Sequence, residues 1–138
     1  MGRLLAIDYG TRRTGIAVSD PLQIIAGALA TVPTAELAEF LRRYVSENDV
    51  EKIVIGKPTQ MNGAPSETFR HIKPLADRLR VEFPSIEIVL WDERFTSVLA
   101  HRAMLDGGLK KQDRRDKALV DRISAAIILQ SYMDSKKL

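Results

Sequence analysis

At 138 residues, 45% of them hydrophobic and 28% charged, the chain has the size of one domain and enough apolar side chains to bury a core. No apolar run approaches the ~20 residues that a bilayer span requires, and the absence of cysteine excludes disulfides and thiolate metal sites. The net charge of +3 suits an acidic partner such as nucleic acid without requiring one. "MGRLLAIDYG" turns polar too early to act as a signal peptide. A soluble, cytoplasmic protein is expected, with residues 1–138 forming one domain.

Three strands open the chain, at about 3–9, 13–20 and 24–32, with Pro21 in the second turn. Thr34 is placed to cap a helix along which Leu37, Phe40, Leu41, Tyr44 and Val45 share one face. "KIVIG" (52–56) reads as a buried strand and "KPTQMNGAPS" after it as a loop. A helix from about Ser66 to Glu82 contains Pro74, which is expected to kink or split it. "IEIVLW" (86–91) is a further buried strand. After "DERFTS" come a helix from about Thr96 to Leu105, which stops at Gly107-Gly108, and a last helix from about Asp113 to Met133. The order β-β-β-α-β-α-β-α-α contains two hairpins and two right-handed crossovers. It predicts an α/β fold with a mixed five-stranded sheet flanked by helices, its first three strands antiparallel and strands 1, 4 and 5 parallel. The first strand is then central, and its C-terminal end lies beside those of the fourth and fifth, where such folds place their chemistry.

Carboxylates occupy three places that propensity alone does not explain. Asp8 ends a strand that is apolar on both faces, and Asp92-Glu93 directly follow the buried run of the fifth strand. Asp121 extends the helix face formed by Ala125, Ile128 and Tyr132. Each has an ordinary alternative: a turn former at Asp8, a helix cap at Asp92, a salt bridge to Arg13 or Arg122 at Asp121. Two strand ends and one inward-facing helix position can converge, and converging carboxylates repel one another unless divalent cations sit among them. The two histidines, His71 and His101, are far apart in the chain. The ions expected are therefore oxygen-ligated Mg²⁺ or Mn²⁺, two of them ~3.5–4 Å apart as in phosphodiester cleavage.

"DYGTRRTGIAVSD" (8–20) resembles the opening motif D-x-G-x-x-R-x-G-x-A-x-S-D of the YqgF/RuvX family. "GKPTQMNG" (56–63) is similar to its G-x-P-x-x-x-N-G loop, "DERFTS" (92–97) to its D-E-R-x-T-S motif, and "VDRISAAIILQSYM" (120–133) to its final helix. The resemblance spans essentially the whole chain. It implies a ribonuclease H-like fold and a metal-dependent nuclease that hydrolyses phosphodiester bonds in processing the 5′ end of pre-16S rRNA, with Holliday junction resolution as the alternative. It implies further that Asp8, Glu93 and Asp121 are the catalytic metal carboxylates. Arg13, Arg94 and Thr96 would support the site or contact phosphate, and Lys57 and Asn62 would position the backbone. Strand alternation does not decide between Asp92 and Glu93; Glu93 is preferred because Asp92 is placed to cap the next helix. A RuvC-type resolvase is expected to carry its second acid on the fourth strand. That strand ends "IVIGKP" here, which favours phosphodiester cleavage in general over junction resolution.

"GGLKKQDRRDK" (107–117) carries Lys110, Lys111, Arg114 and Arg115 just ahead of Asp121 and reads as a flexible arm for gripping phosphates. Arg12 and Arg13, beside Asp8, suit similar work. Arg42 and Arg43 read as the wet face of the first helix, and Trp91 as core. Aromatic residues make up 6% of the chain, so no stacking platform for single-stranded bases is expected. Recognition is expected to rest on backbone charge and on the shape of a structured RNA or branched DNA. D-x-G-T also opens the phosphate loop of actin-like ATPases, but those bind nucleotide between two copies of the fold, and this chain holds one. A non-catalytic assembly factor is the other competing reading. Monomer and homodimer are both compatible with the sequence.

Overall fold

The computed structural model describes residues 2–57, 69–92 and 116–136. The run ahead of Asp8 forms β1 (Arg3–Asp8), followed by β2 (Arg13–Ser19), β3 (Ala26–Pro33) and a 3₁₀ turn (Thr34–Glu36). Then come α1 (Leu37–Glu47), β4 (Val50–Lys57), α2 (Phe69–Glu82), β5 (Glu87–Asp92) and α3 (Lys117–Ser135). The strands form one five-stranded sheet in the order β3-β2-β1-β4-β5. β1–β2 and β2–β3 are antiparallel, and β1–β4 and β4–β5 parallel. This is the mixed α/β sheet expected, in the ribonuclease H-like arrangement that the resemblance implies. The helix expected over 96–105 lies outside the described residues. Among the described residues no helix is long and apolar enough to cross a membrane.

β1 is central because both of its faces are apolar, and the two-residue period of a strand divides them between two layers. Leu5 and Ile7 join Ile16, Ile53, Ile55, Leu37, Leu41 and Leu79 in a core beneath α1 and α2. Leu4 and Ala6 join Ala17, Val54, Ala125, Ile128 and Leu129 in a second core beneath α3. The α3 face expected from Ala125, Ile128 and Tyr132 is the buried one. Each leucine or isoleucine so enclosed contributes about 1.5–3 kcal/mol.

Local expectations fail where a distant partner competes. Thr34 does not cap α1, which starts at Leu37 without a side-chain cap. Its hydroxyl donates to the Gly10 carbonyl at 2.6 Å and meets the Thr14 hydroxyl at 2.9 Å. Its backbone N–H donates to the Arg12 carbonyl at 2.9 Å. Thr34 thus clamps the β1–β2 turn, in which a Cβ on Gly10 would meet the Arg13 carbonyl oxygen at 2.4 Å. Thr34→Val is expected to cost about 1–3 kcal/mol by stranding the Gly10 carbonyl and the Thr14 hydroxyl. A lower urea midpoint at unchanged slope is the readout.

α2 runs through Pro74 without a break. Pro74 and Arg70, whose carbonyl loses its donor, are both exposed, so water can replace the missing bond. α3 starts at Lys117 rather than Asp113, because the Asp116 carboxylate accepts the Leu119 N–H at 3.2 Å and caps the helix. The Ser19-Asp20 end of the opening motif builds the β2–β3 turn. Asp20 accepts N–H groups of Leu22, Ile24 and Ile25 at 3.1, 2.7 and 2.8 Å. These bonds, that from Ile25 foremost, hold its carboxyl below the usual carboxylate range.

Candidate functional site

Asp8 is the last residue of β1 and is half-buried. Leu4 and Ala6 face α3, so the strand period puts Asp8 on the α3 face as well. Across the ladder its Cα partner is Gly15 of β2. The backbone of α3 rests directly on that glycine. A Cβ built on Gly15 would lie 2.0 Å from the Asp121 carbonyl oxygen and 2.4 Å from its carbonyl carbon. The helix therefore carries Asp121 to the same face and the same end of the sheet as Asp8, an approach that any larger residue at position 15 would block.

Arg13 lies on the same face of β2 as Gly15, and its guanidinium forms an ion pair with the Asp121 carboxylate. Of the two arginines expected to compete for Asp121, Arg13 is the one that reaches it. Arg122 turns to the Thr31 hydroxyl at 3.4 Å and the Ala118 carbonyl at 3.3 Å. The Arg13 and Asp121 side chains are 39% and 24% exposed, so the pair stands open to an incoming ligand. Arg12 is exposed in the turn between β1 and β2.

β5 divides its side chains in the same way. Ile88 and Leu90 belong to the α1/α2 layer and Val89 and Trp91 to the α3 layer. Asp92, one residue beyond Trp91, thus shares the α1/α2 face and points away from Asp8 and Asp121. Trp91 is partly buried against the α3 core, packed edge-on to Tyr132 at 5.4 Å. Lys57 ends β4 opposite Asp92, and its side chain lies outside the described residues. So do Asn62, Glu93, Arg94, Thr96, Lys110, Lys111, Arg114 and Arg115. Among the described residues no group of three or more histidines and carboxylates gathers. Gly15 and Thr34 are the positioning residues that sequence reading missed. A glycine inside an apolar strand is a signal of close backbone approach, whereas the local pattern at Thr34 points to a helix cap and not to its partners Gly10 and Thr14.

A family model described as RuvX, Holliday junction resolvase, matches residues 2–135. A protein of Phocaeicola vulgatus is 61% identical over 137 residues, covering 99% of each chain. One of Bacteroides fragilis is 57% identical over 138 residues with both chains fully covered. A third, of Porphyromonas gingivalis, is 58% identical over 135 residues, covering 98% of each. All three are named, provisionally, as pre-16S rRNA nucleases. Among solved structures, YeaZ from Pseudomonas aeruginosa aligns over 78% of this chain and 50% of its own at TM-score 0.42 and 20% identity, too distant to carry an argument. With four motifs in order, a family match over nearly its whole length and relatives above half identity, the chain belongs to the RuvX family.

Proposed function

We propose that this chain is a metal-dependent nuclease that hydrolyses phosphodiester bonds of pre-16S rRNA in the cytoplasm, maturing its 5′ end. The observation that carries the reading is the close approach of α3 to β2 at Gly15, which gathers Asp8 and Asp121 on one face. The names of the relatives point the same way. Carboxylate oxygens without a soft donor among them fit Mg²⁺ or Mn²⁺. Asp8 and Asp121 would hold the metal, with Glu93 as the third ligand; the placement of Asp92 on the opposite face supports Glu93 over its neighbour. Ions of this kind, when bound in pairs, activate a water and stabilise the leaving oxygen.

The remaining work belongs to side chains of the chain itself. Arg13 holds the Asp121 carboxylate in one orientation and keeps further guanidinium donors for a phosphate oxygen. Thr34 holds the turn that presents Arg12 to the same backbone. Lys57, Asn62, Arg94, Thr96, Lys110, Lys111, Arg114 and Arg115 are proposed to grip the flanking strand. Arg13→Ala is expected to slow single-turnover cleavage about 10- to 100-fold, the range for a residue that orients a metal ligand. Stability should change by no more than ~1 kcal/mol, because the pair is open to solvent.

Cleavage of end-labelled pre-rRNA, abolished by EDTA and restored by Mg²⁺ or Mn²⁺, tests the reading. A four-way DNA junction belongs in the same assay, since the description of the matched family model favours junction resolution as the second reading. β4 ends at Gly56-Lys57 without an acid, so RNA is expected to be cut faster. Cutting confined to the junction would replace the RNA reading.

A further inference from the structure

On the face of the sheet away from Asp121, α1 and α2 part at the C-terminal end of β1 and leave a cleft of about 440 Å³. Small-molecule sites occupy ~300–1,000 Å³. Its floor is apolar, formed by Leu37, Leu75 and Leu79, all buried. Tyr9 forms one wall, and its ring lies 6.4 Å from that of His71 at an interplanar angle of 25°. Two arginines stand at the rim. Arg42 is held by Glu82, whereas Arg78 is exposed and has no ion-pair partner among the described residues.

We infer that this cleft receives one unstacked nucleobase of the bound strand, its ring against Tyr9 and its phosphate on Arg78. A slot with an apolar floor, an aromatic wall and an uncommitted guanidinium matches a planar ring that carries an anion. Stacking of this kind tolerates any base, and the cation takes the charge. An uncharged apolar ligand would leave Arg78 unused, and a simple anion would leave the Tyr9 ring unused. The position of Tyr9 links the cleft to the carboxylates. It follows Asp8 directly, and its side chain packs with the α1/α2 core, on the opposite face. A strand crossing the C-terminal edge of the sheet thus meets Asp8 on one side and the Tyr9 wall on the other. His71 is not part of the cleft lining; its ring lies against that of Tyr9 and backs that wall.

The inference rests on the nuclease reading for the identity of the strand, and its test separates the two. Binding of a short single-stranded RNA to the full chain in EDTA is measured by fluorescence anisotropy, with the RNA intact or with one abasic position scanned along it. One abasic position is expected to weaken binding about 5- to 100-fold, the value of a single stacked base. Tyr9→Phe should keep that discrimination and Tyr9→Ala should erase it. Arg78→Ala should lower the slope of log affinity against log salt by about one contact. His71 is exposed, so His71→Ala gives a folded second variant in which the discrimination shrinks. Equal binding of intact and abasic RNA, or discrimination unchanged in the Tyr9 and His71 variants, overturns the inference. Discrimination without metal-dependent cleavage by the wild type keeps the cleft and removes the nuclease reading. Cleavage without discrimination does the reverse.

Discussion

Asp8→Asn is expected to abolish cleavage, by at least about 10³-fold, in a protein that stays folded. The loss corresponds to ~4 kcal/mol of transition-state stabilisation, the order that a metal site supplies. Asparagine keeps the shape of the side chain at the end of β1 and leaves the backbone pairing with Gly15 intact. What it removes is charge. Without metal, the variant keeps the packing of the wild type, and the two should melt close together. With metal they separate. An ion that binds only the folded wild type adds about 2.7 kcal/mol at a hundred times its Kd, whereas the variant should show no rise in Tm. Activity within tenfold of wild type, or the same metal-dependent rise in Tm, would remove Asp8 from the proposed metal site.

What the sequence discloses about this molecule is what local pattern can report. The apolar runs Leu4–Ile7 and Ile53–Ile55 are buried on both faces, and two hairpins followed by two crossovers leave few topologies. The α3 face was legible because Ala125, Ile128 and Tyr132 recur at helical spacing, and all are buried. Burial imprints a period, and a period can be read along the chain. Long-range partnership leaves no such imprint. Arg13 and Asp121 meet across 108 positions, a pairing that the sequence offered only as an equal of Arg122, and Thr34 serves the Gly10 carbonyl rather than the helix beside it. The two readings of Asp121, metal ligand and ion-pair partner, also cease to compete once both groups are seen in place. A guanidinium on one carboxylate oxygen leaves the other lone pairs for a cation. The face of Asp92 is a similar case. Strand alternation alone carries no sign, and the sign comes from Trp91 and Leu90 packing into different layers.

Gly15→Ala is expected to destabilise the fold by about 2–4 kcal/mol and to slow cleavage about 100-fold, although alanine is only one methyl larger. The new Cβ would fall 2.0 Å from the Asp121 oxygen, 2.4 Å from its carbon and 2.9 Å from the Arg122 nitrogen. All three are backbone atoms of α3, so no side-chain rotamer relieves the clash. The helix must back away by roughly 1–1.5 Å to regain ordinary contact distances. That movement opens gaps above Ala125, Ile128 and Leu129, which are packed against the sheet, and lost packing in a dense core is what the stability term reports. It also carries Asp121 away from Asp8, and a shift of ~1 Å in a reacting group costs on the order of 10² in rate. Gly27→Ala is the control. Its Cβ would approach nothing closer than the Val18 oxygen at 3.9 Å, so the same chemical change on edge strand β3 should leave both quantities within ~1 kcal/mol and twofold. Urea denaturation and single-turnover cleavage of the two variants, side by side, read out both effects. If Gly15→Ala matched Gly27→Ala, α3 would not be seated on β2 at Gly15, and the gathering of the two carboxylates would lose its structural cause.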